Sequence, residues 1–419
     1  MKKTKLFLAL LTIPLFLLVA TNLWAAAEFH PYLTLEEEYN DNIYLDDSQE
    51  EEDWITTIQP GLSLTYNNRS IDATVDYSLR YRFYKNNDDE NTDSFSDAQR
   101  ADASVFFFSG RPFTLLITEG ISNETLDSRD GGADYNELVN SSTVYRTSVA
   151  PEYRLQLVPT FSVVFGYIYD RADYVDSRGI DWDEHNGHVS LVKQLAAGSE
   201  LFARGAYIIH QSDDIEDEFD RMNYTLGLTQ HVSGRITGTI EGGYTQIEYD
   251  MGYDTDDWIW SADVSYHYSD PIAFSLGYSQ DFESTALEGL TKLREFSLSA
   301  NYQKDSITAS IEVFGNYSEY VREDRDDKAA GIRADWSSPL GSALTTHFDA
   351  EYEHAKYTEP GPDEDVDRFT VGASLDYTYR RFLASLGYRF RISDSDFDGY
   401  GDDNNYTNNI VTLSGTVRF

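Results

Sequence analysis

The chain has 419 residues, no cysteine, 73 acidic against 32 basic residues, and a formal net charge of −41. No disulfide framework or cysteine-ligated metal can form, and so acidic a chain excludes a phosphate-reading nucleic-acid binder, which gains affinity when basic groups release counterions. Aromatic residues at 14% supply more apolar area than a disordered acidic chain carries, so the chain is expected to fold.

Lys2, Lys3 and Lys5 precede an apolar run over residues 6–20, and the segment closes on Ala25-Ala26-Ala27. Basic, apolar and small residues in that order predict a signal peptide over residues 1–27. The apolar run is about 15 residues, short of the roughly 20 that a spanning helix needs. Residues 28–419 contain no apolar stretch of helical spanning length, which leaves export in soluble form or insertion as strands.

Strands follow. Trp54, Thr56, Ile58, Pro60, Leu62, Leu64 and Tyr66 share one face. Ile71, Ala73, Val75, Tyr77, Leu79, Tyr81 and Phe83 do the same, opposite Asp72, Thr74, Asp76, Ser78, Arg80 and Arg82, which is a period of two. The pattern recurs at Trp258, Trp260, Ala262, Val264, Tyr266 and Tyr268, and at Phe369, Val371, Ala373, Leu375, Tyr377 and Tyr379. Such runs match or exceed the roughly 9 to 11 residues that cross a bilayer at a tilt, and no amphipathic helix is present to cover them.

Short turns are read at Asn67-Asn68-Arg69, Ser109-Gly110-Arg111-Pro112, Val158-Pro159, Ala197-Gly198, Ser233-Gly234, Ser269-Asp270-Pro271, Lys304-Asp305, Pro339-Leu340-Gly341 and Tyr379-Arg380. Longer acidic segments lie midway between them, at residues 41–53, 86–96, 213–220, 359–367 and 394–403. Short turns at one end and long loops at the other are the organisation of outer-membrane barrels, whose periplasmic turns are short and whose strand number is even. The expectation is an all-β, antiparallel up-and-down transmembrane β-barrel over residues 28–419, with about 20 strands (18 as the alternative) and acidic extracellular loops, in the outer membrane of a Gram-negative bacterium. The last strand, with Val411, Leu413, Gly415, Val417 and Phe419 alternating to the terminus, resembles the signal read by the outer-membrane insertion machinery, which makes Phe419 its expected contact.

The opening stretch Glu37-Glu38-Tyr39-Asn40-Asp41-Asn42-Ile43-Tyr44, with Ile58-Gln59-Pro60-Gly61-Leu62 and the strand from Ile71 to Tyr84, resembles the start of a family of β-barrel porins that accompany exopolysaccharide and capsule export systems. The resemblance is clearest over about the first 85 residues and implies a conduit for a surface polysaccharide, with periplasmic export components as partners. It implies no catalytic residues and no cofactor.

The alternation itself puts Asp72, Asp76, Arg80, Arg82, Asp263, His267, Asp349, Glu351, Glu353, Asp376, Arg389 and Arg391 on the face opposite the apolar one, lining a lumen. Cross-strand pairing that hydrates the wall is the simpler reading of this mix of signs, and solute selection is the functional one. An acidic outer mouth slows polyanions, so a neutral or weakly charged glycan suits the chain better. Trp54 and Trp258 fit an interfacial girdle, whereas Tyr84 falls on the inward register.

Asp394-Ser395-Asp396-Phe397-Asp398-Gly399 matches the first half of a calcium loop, with Asp394, Asp396 and Asp398 as the ligands. Its twelfth position is Asn405 rather than glutamate, so any calcium is expected to bind weakly in an extracellular loop. His210-Gln211-Ser212 has the histidine–serine spacing of an outer-membrane phospholipase, but the same spacing recurs at His188, His231 and His267, which drains it of information. No enzyme is expected. Besides export, the readings carried forward are a general small-solute porin and a structural barrel whose acidic loops bridge to lipopolysaccharide through cations.

Overall fold

A computed structural model describes residues 27–126, 138–175, 179–213, 217–252, 254–285, 289–321, 325–358, 363–397 and 405–419. The expected signal peptide lies outside these residues except for Ala27, where the first strand begins.

The strands in chain order open with β1 (Ala27–Asn40), β2 (Asp53–Asn67), β3 (Ile71–Leu79), β4 (Tyr81–Tyr84), β5 (Gln99–Phe107), β6 (Phe113–Thr125) and β7 (Ser141–Val158). They continue with β8 (Phe161–Tyr174), β9 (Trp182–Gln194), β10 (Glu200–Ser212), β11 (Phe219–Ser233), β12 (Ile236–Tyr249), β13 (Asp254–Ser269) and β14 (Ile272–Thr285). The series ends with β15 (Gly289–Lys304), β16 (Ile307–Tyr320), β17 (Asp326–Pro339), β18 (Leu344–Thr358), β19 (Glu364–Tyr379), β20 (Phe382–Phe397) and β21 (Tyr406–Arg418). Both β3 and β4 pair with β2 in one unbroken register, so they are two lengths of a single stave interrupted at Arg80. Every stave pairs antiparallel with the stave that follows it in sequence, and β21 returns to β1 from Tyr32↔Arg418 to Asn40↔Ile410. The 21 strands thus make a closed wall of 20 staves.

Closure follows from solvent. A strand crossing hydrocarbon cannot leave its backbone N–H and C=O groups unpaired, and only a sheet without edges satisfies all of them. Traced partner to partner round the wall, a row leaving β1 at Leu35 regains the line of β1 about 26 residues further along, which for 20 staves gives a tilt of roughly 40–45° and a backbone diameter of roughly 40 Å.

The register also fixes the faces, because directly paired residues point the same way. Leu226, Ile240, Val264, Leu276, Leu298, Leu386 and Leu413 stand exposed on one face along the lower part of their strands. That belt, about ten residues tall, matches an apolar band of about 25 Å. Trp54 and Trp258 stand 49% and 66% exposed at its upper edge, while Tyr379, Phe382 and Phe419 mark its lower edge beside the short turns. The turns fall where they were expected, and Arg380 and Asp305 take left-handed backbone in two of them (φ 55° each).

Leu226 sits near mid-band on the outward face, so Leu226→Arg is expected to cost ~2–4 kcal/mol of folding free energy in a bilayer. Asp263→Arg on the inward face is expected to cost about 1 kcal/mol or less. Equilibrium urea titration of both variants in lipid vesicles checks the difference, and equal losses would mean the faces are assigned wrongly.

Candidate functional site

The inward face is where chemistry can happen, because the outward one meets lipid. Asp72 and Asp76 on β3, Arg80 at the break before β4, Arg82 on β4, Asp263 and His267 on β13, Asp349, Glu351 and Glu353 on β18, Asp376 on β19, and Arg389 and Arg391 on β20 all lie on the inward register. They do not converge on one point. Instead they form local pairs, several reaching across a glycine on the stave between. The Tyr32 hydroxyl passes over Gly61 to donate to Asp76 (2.8 Å), and the Asp349 carboxylate lies over Gly372 to come within 3.6 Å of Arg389. A Cβ on Gly61 would come within 2.2 Å of the Tyr32 ring, so the glycine is what lets the longer side chain lie flat. His347 meets Asp376 at 3.2 Å, Arg368 donates to Glu353 at 3.0 Å, and buried Arg82 meets Glu38 at 3.3 Å.

Above the lipid band the inner wall changes character. Four buried apolar clusters stand around the outer mouth: Ile43, Ile55 and Tyr84; Leu126, Val144, Ala172 and Tyr174; Phe219, Ile247, Tyr249, Ile259, Phe282 and Leu290; and Ala355, Tyr357 and Val366. Leu138, just before β7, packs on the Ile43–Tyr84 cluster, which belongs to other staves, so its side chain lies inside the wall. Between the second and third clusters runs a continuous stack: Trp182 on His210 (5.5 Å), His210 flat on Phe219 (4.7 Å, 7°), and Phe219 on Tyr249 (5.6 Å). His210 is fully buried with 3.7 Å to Glu184 on one side and to Asp217 on the other, and neither ring nitrogen makes a hydrogen bond.

The third cluster joins opposite faces of the sheet. Phe219, Ile247 and Ile259 are inward residues of β11, β12 and β13, whereas Phe282 and Leu290 share the face of lipid-exposed Leu276 and Leu298 on β14 and β15. They can meet because β13 and β14 stop pairing above Trp260↔Gln280, although β13 stays on β12 to Asp254 and β14 stays on β15 to Thr285. Residues 281–285 of β14 and 289–292 of β15, still joined to β16 to Thr291↔Tyr320, therefore fold inward as a tongue, their outward face laid on the inner wall of β11–β13. Polar clasps hold it. Lys292 pairs with Asp257, Arg221 pairs with Asp281 and donates to the Phe282 carbonyl (2.9 Å), and the Gln280 amide donates to the Trp258 carbonyl (2.6 Å) where a ladder bond is missing. Beneath the tongue is a recess of about 280 Å³ whose lining includes His188, Arg204, Asn223, Glu241, Ser261 and Asp281.

Asp394 and Asp396 lie on β20, which runs to Phe397; they are strand residues on the outward face opposite Asp367 and Asp365, while Asp398 lies outside the described residues. Among the described residues no group of three metal-ligating side chains is poised for an ion.

Solved structures share this architecture. The siderophore receptor PirA of Pseudomonas aeruginosa matches over 94% of this chain and 80% of its own, at 11% identity and a TM-score of 0.50. A point mutant of the ferric enterobactin receptor PfeA from the same organism gives 10%, with the same coverage and a TM-score of 0.52. The FrpB iron transporter of Neisseria meningitidis, in its F3-3 variant, gives 9%, 96% and 83% coverage and 0.51. The chain has the fold of an outer-membrane β-barrel. At such identities the likeness is one of fold alone. No protein-family model matches the chain, and no curated protein sequence does. The barrel is thus supported by these likenesses, and the export association drawn from the porin-family resemblance has no family match behind it.

Phe282 fills the layer between tongue and wall, so Phe282→Ala is expected to remove about 3–5 kcal/mol of packing there. Hydrogen exchange should then speed at residues 281–285 and 289–292 with little change in β17–β21. Unchanged exchange in the tongue would contradict the packing described.

Proposed function

We propose that this chain is an outer-membrane channel of a Gram-negative bacterium that conducts a neutral or weakly charged surface polysaccharide outward, and that it is not an enzyme. The observation that carries the reading is the inner wall: a barrel roughly 40 Å across with a polar inner face on which arginines stand beside carboxylates, as in Arg389–Asp349 and Arg368–Glu353, and carboxylates remain in excess. A wall of this kind offers hydroxyl-rich chains hydrogen bonds, and its excess of carboxylates disfavours a polyanion. The recess under the tongue adds amide, hydroxyl and charged groups suited to transient contact with sugar hydroxyls. Outer-leaflet lipopolysaccharide, the insertion machinery acting on Phe419 and periplasmic export components are the partners this reading entails. Weak calcium at the Asp394 and Asp396 end of β20 would be incidental to it.

A general small-solute porin is the second reading, favoured by the tongue, which narrows the outer mouth on the side of β11–β15.

Single-channel recording of the refolded barrel with added oligosaccharides separates the two. Export predicts a stable conductance with discrete blockades by neutral glycans and weaker blockade by anionic ones. A conductance indifferent to neutral glycans would refute export and leave the porin.

A further inference from the structure

The tongue stays joined to β16 through β15, to Thr291↔Tyr320, and only its β14 edge has parted from β13; the alternative position of that edge can be read from the register. Residues 254–259 of β13 and 281–285 of β14 each pair on one side only. Continuing the ladder that ends at Trp260↔Gln280 would place Trp258 opposite Phe282 and Asp257 opposite Glu283, completing the sheet and withdrawing the hairpin from the lumen.

We propose that residues 281–285 of β14 and 289–292 of β15 form a gate with two positions: folded inward on β11–β13, where they narrow the mouth and roof the recess, and zipped along β14 into the wall beside β13, where the mouth stands open. This goes beyond the conduit reading, because it concerns how the mouth opens whatever passes through it.

Electrostatics and burial both favour the inward position, and both are limited in size. Zipped, Asp257 faces Glu283, and like charges directly across a pair of strands repel. Folded inward, Asp257 gains Lys292, and Asp281 gains Arg221. Phe282, Leu290, Ile247 and Ile259 leave water in the same movement. Against this, zipping restores a run of backbone ladder bonds that the inward position replaces, at the Trp258 carbonyl, with the Gln280 side-chain amide. The hinge falls at Trp260 and Gln280, near the top of the lipid band. Below it an unpaired edge would face hydrocarbon, whereas above it water satisfies the free groups at modest cost. Two states separated by a few clasps and one apolar layer are the kind of bistable element that a solute, a partner or a voltage can bias.

The absence of cysteine permits a direct test. Asp257→Cys with Lys292→Cys places two thiols together only when the tongue is inward, and Asp257→Cys with Glu283→Cys does so only when it is zipped. Each double variant, inserted in lipid bilayers, is treated with a short bis-methanethiosulfonate and then with reductant. The gate predicts that both pairs cross-link. It also predicts that the 257/292 bridge lowers single-channel conductance and the 257/283 bridge raises it at least about twofold relative to the reduced protein, both reversibly. Lys292→Gln, which removes one clasp and leaves the apolar layer, should speed formation of the 257/283 bridge. Failure of the 257/283 pair to form while 257/292 forms quickly would overturn the proposal, and so would conductances identical in bridged and reduced states. In a barrel that passes no current the conduit reading falls, while the pattern of cross-links still decides whether the tongue moves.

Discussion

Hydrocarbon offers no hydrogen bonds, and this one fact governs the arrangement of the chain. Each backbone group at lipid depth must be paired within the sheet, so the sheet must close, and in closing it fixes tilt, diameter and face for every residue at once. Tyr32↔Arg418 and its neighbours on β1 and β21 are the last link in that closure. Once the wall is closed, alternation sorts side chains with no further instruction: Leu226 outward, Asn223 and Thr225 inward. The inward set then has water for company and can hold aspartate, arginine and histidine at depths where the outward set cannot.

The constraint also marks where it ceases to apply. Within the lipid band the pairing of β13 with β14 is continuous from Trp260↔Gln280 to His267↔Ala273, and the two strands separate only above it. Backbone released there is met by water or by a side chain, as Trp258 is by Gln280. The strands project beyond the bilayer, and their upper ends are free to exchange ladder bonds for side-chain clasps. The buried mouth clusters all lie in this upper region, where the inner wall is covered by inward-reaching chain such as Leu138 and Phe282.

Much of this was legible in the sequence, because the signals are local. Two-residue alternation over ten or more positions, short turns such as Ser269-Asp270-Pro271 and the spacing between them determine strands, count and faces, and the interrupted stave around Arg80 reads as a single strand since Ile71 to Phe83 alternates straight through the break. Tyr84 on the inward register is buried in the mouth, which removes it from any girdle. The tongue was not legible. Phe282, Leu290 and Lys292 keep perfect step with lipid-facing Leu276 and Leu298, so periodicity marks them as outward, and nothing local says that the β14 edge has parted from β13. Their new partners, Ile247, Ile259 and Asp257, lie on other staves. Acidic segments misled in a similar way: Glu364 to Asp367 and Asp394 to Asp396 read as loop from composition, yet they extend β19 and β20 above the bilayer, where polar residues are tolerated on both faces.

Within the lipid band one face of the wall meets water while the other meets lipid. Single cysteines placed in turn at residues 261 to 268 of β13, in an otherwise cysteine-free chain, and probed in membranes with a charged thiol reagent test it most directly. The account predicts fast labelling at Ser261, Asp263, Ser265 and His267 and slow labelling at Ala262, Val264 and Tyr266. Labelling without alternation, or with the two sets exchanged, would contradict it.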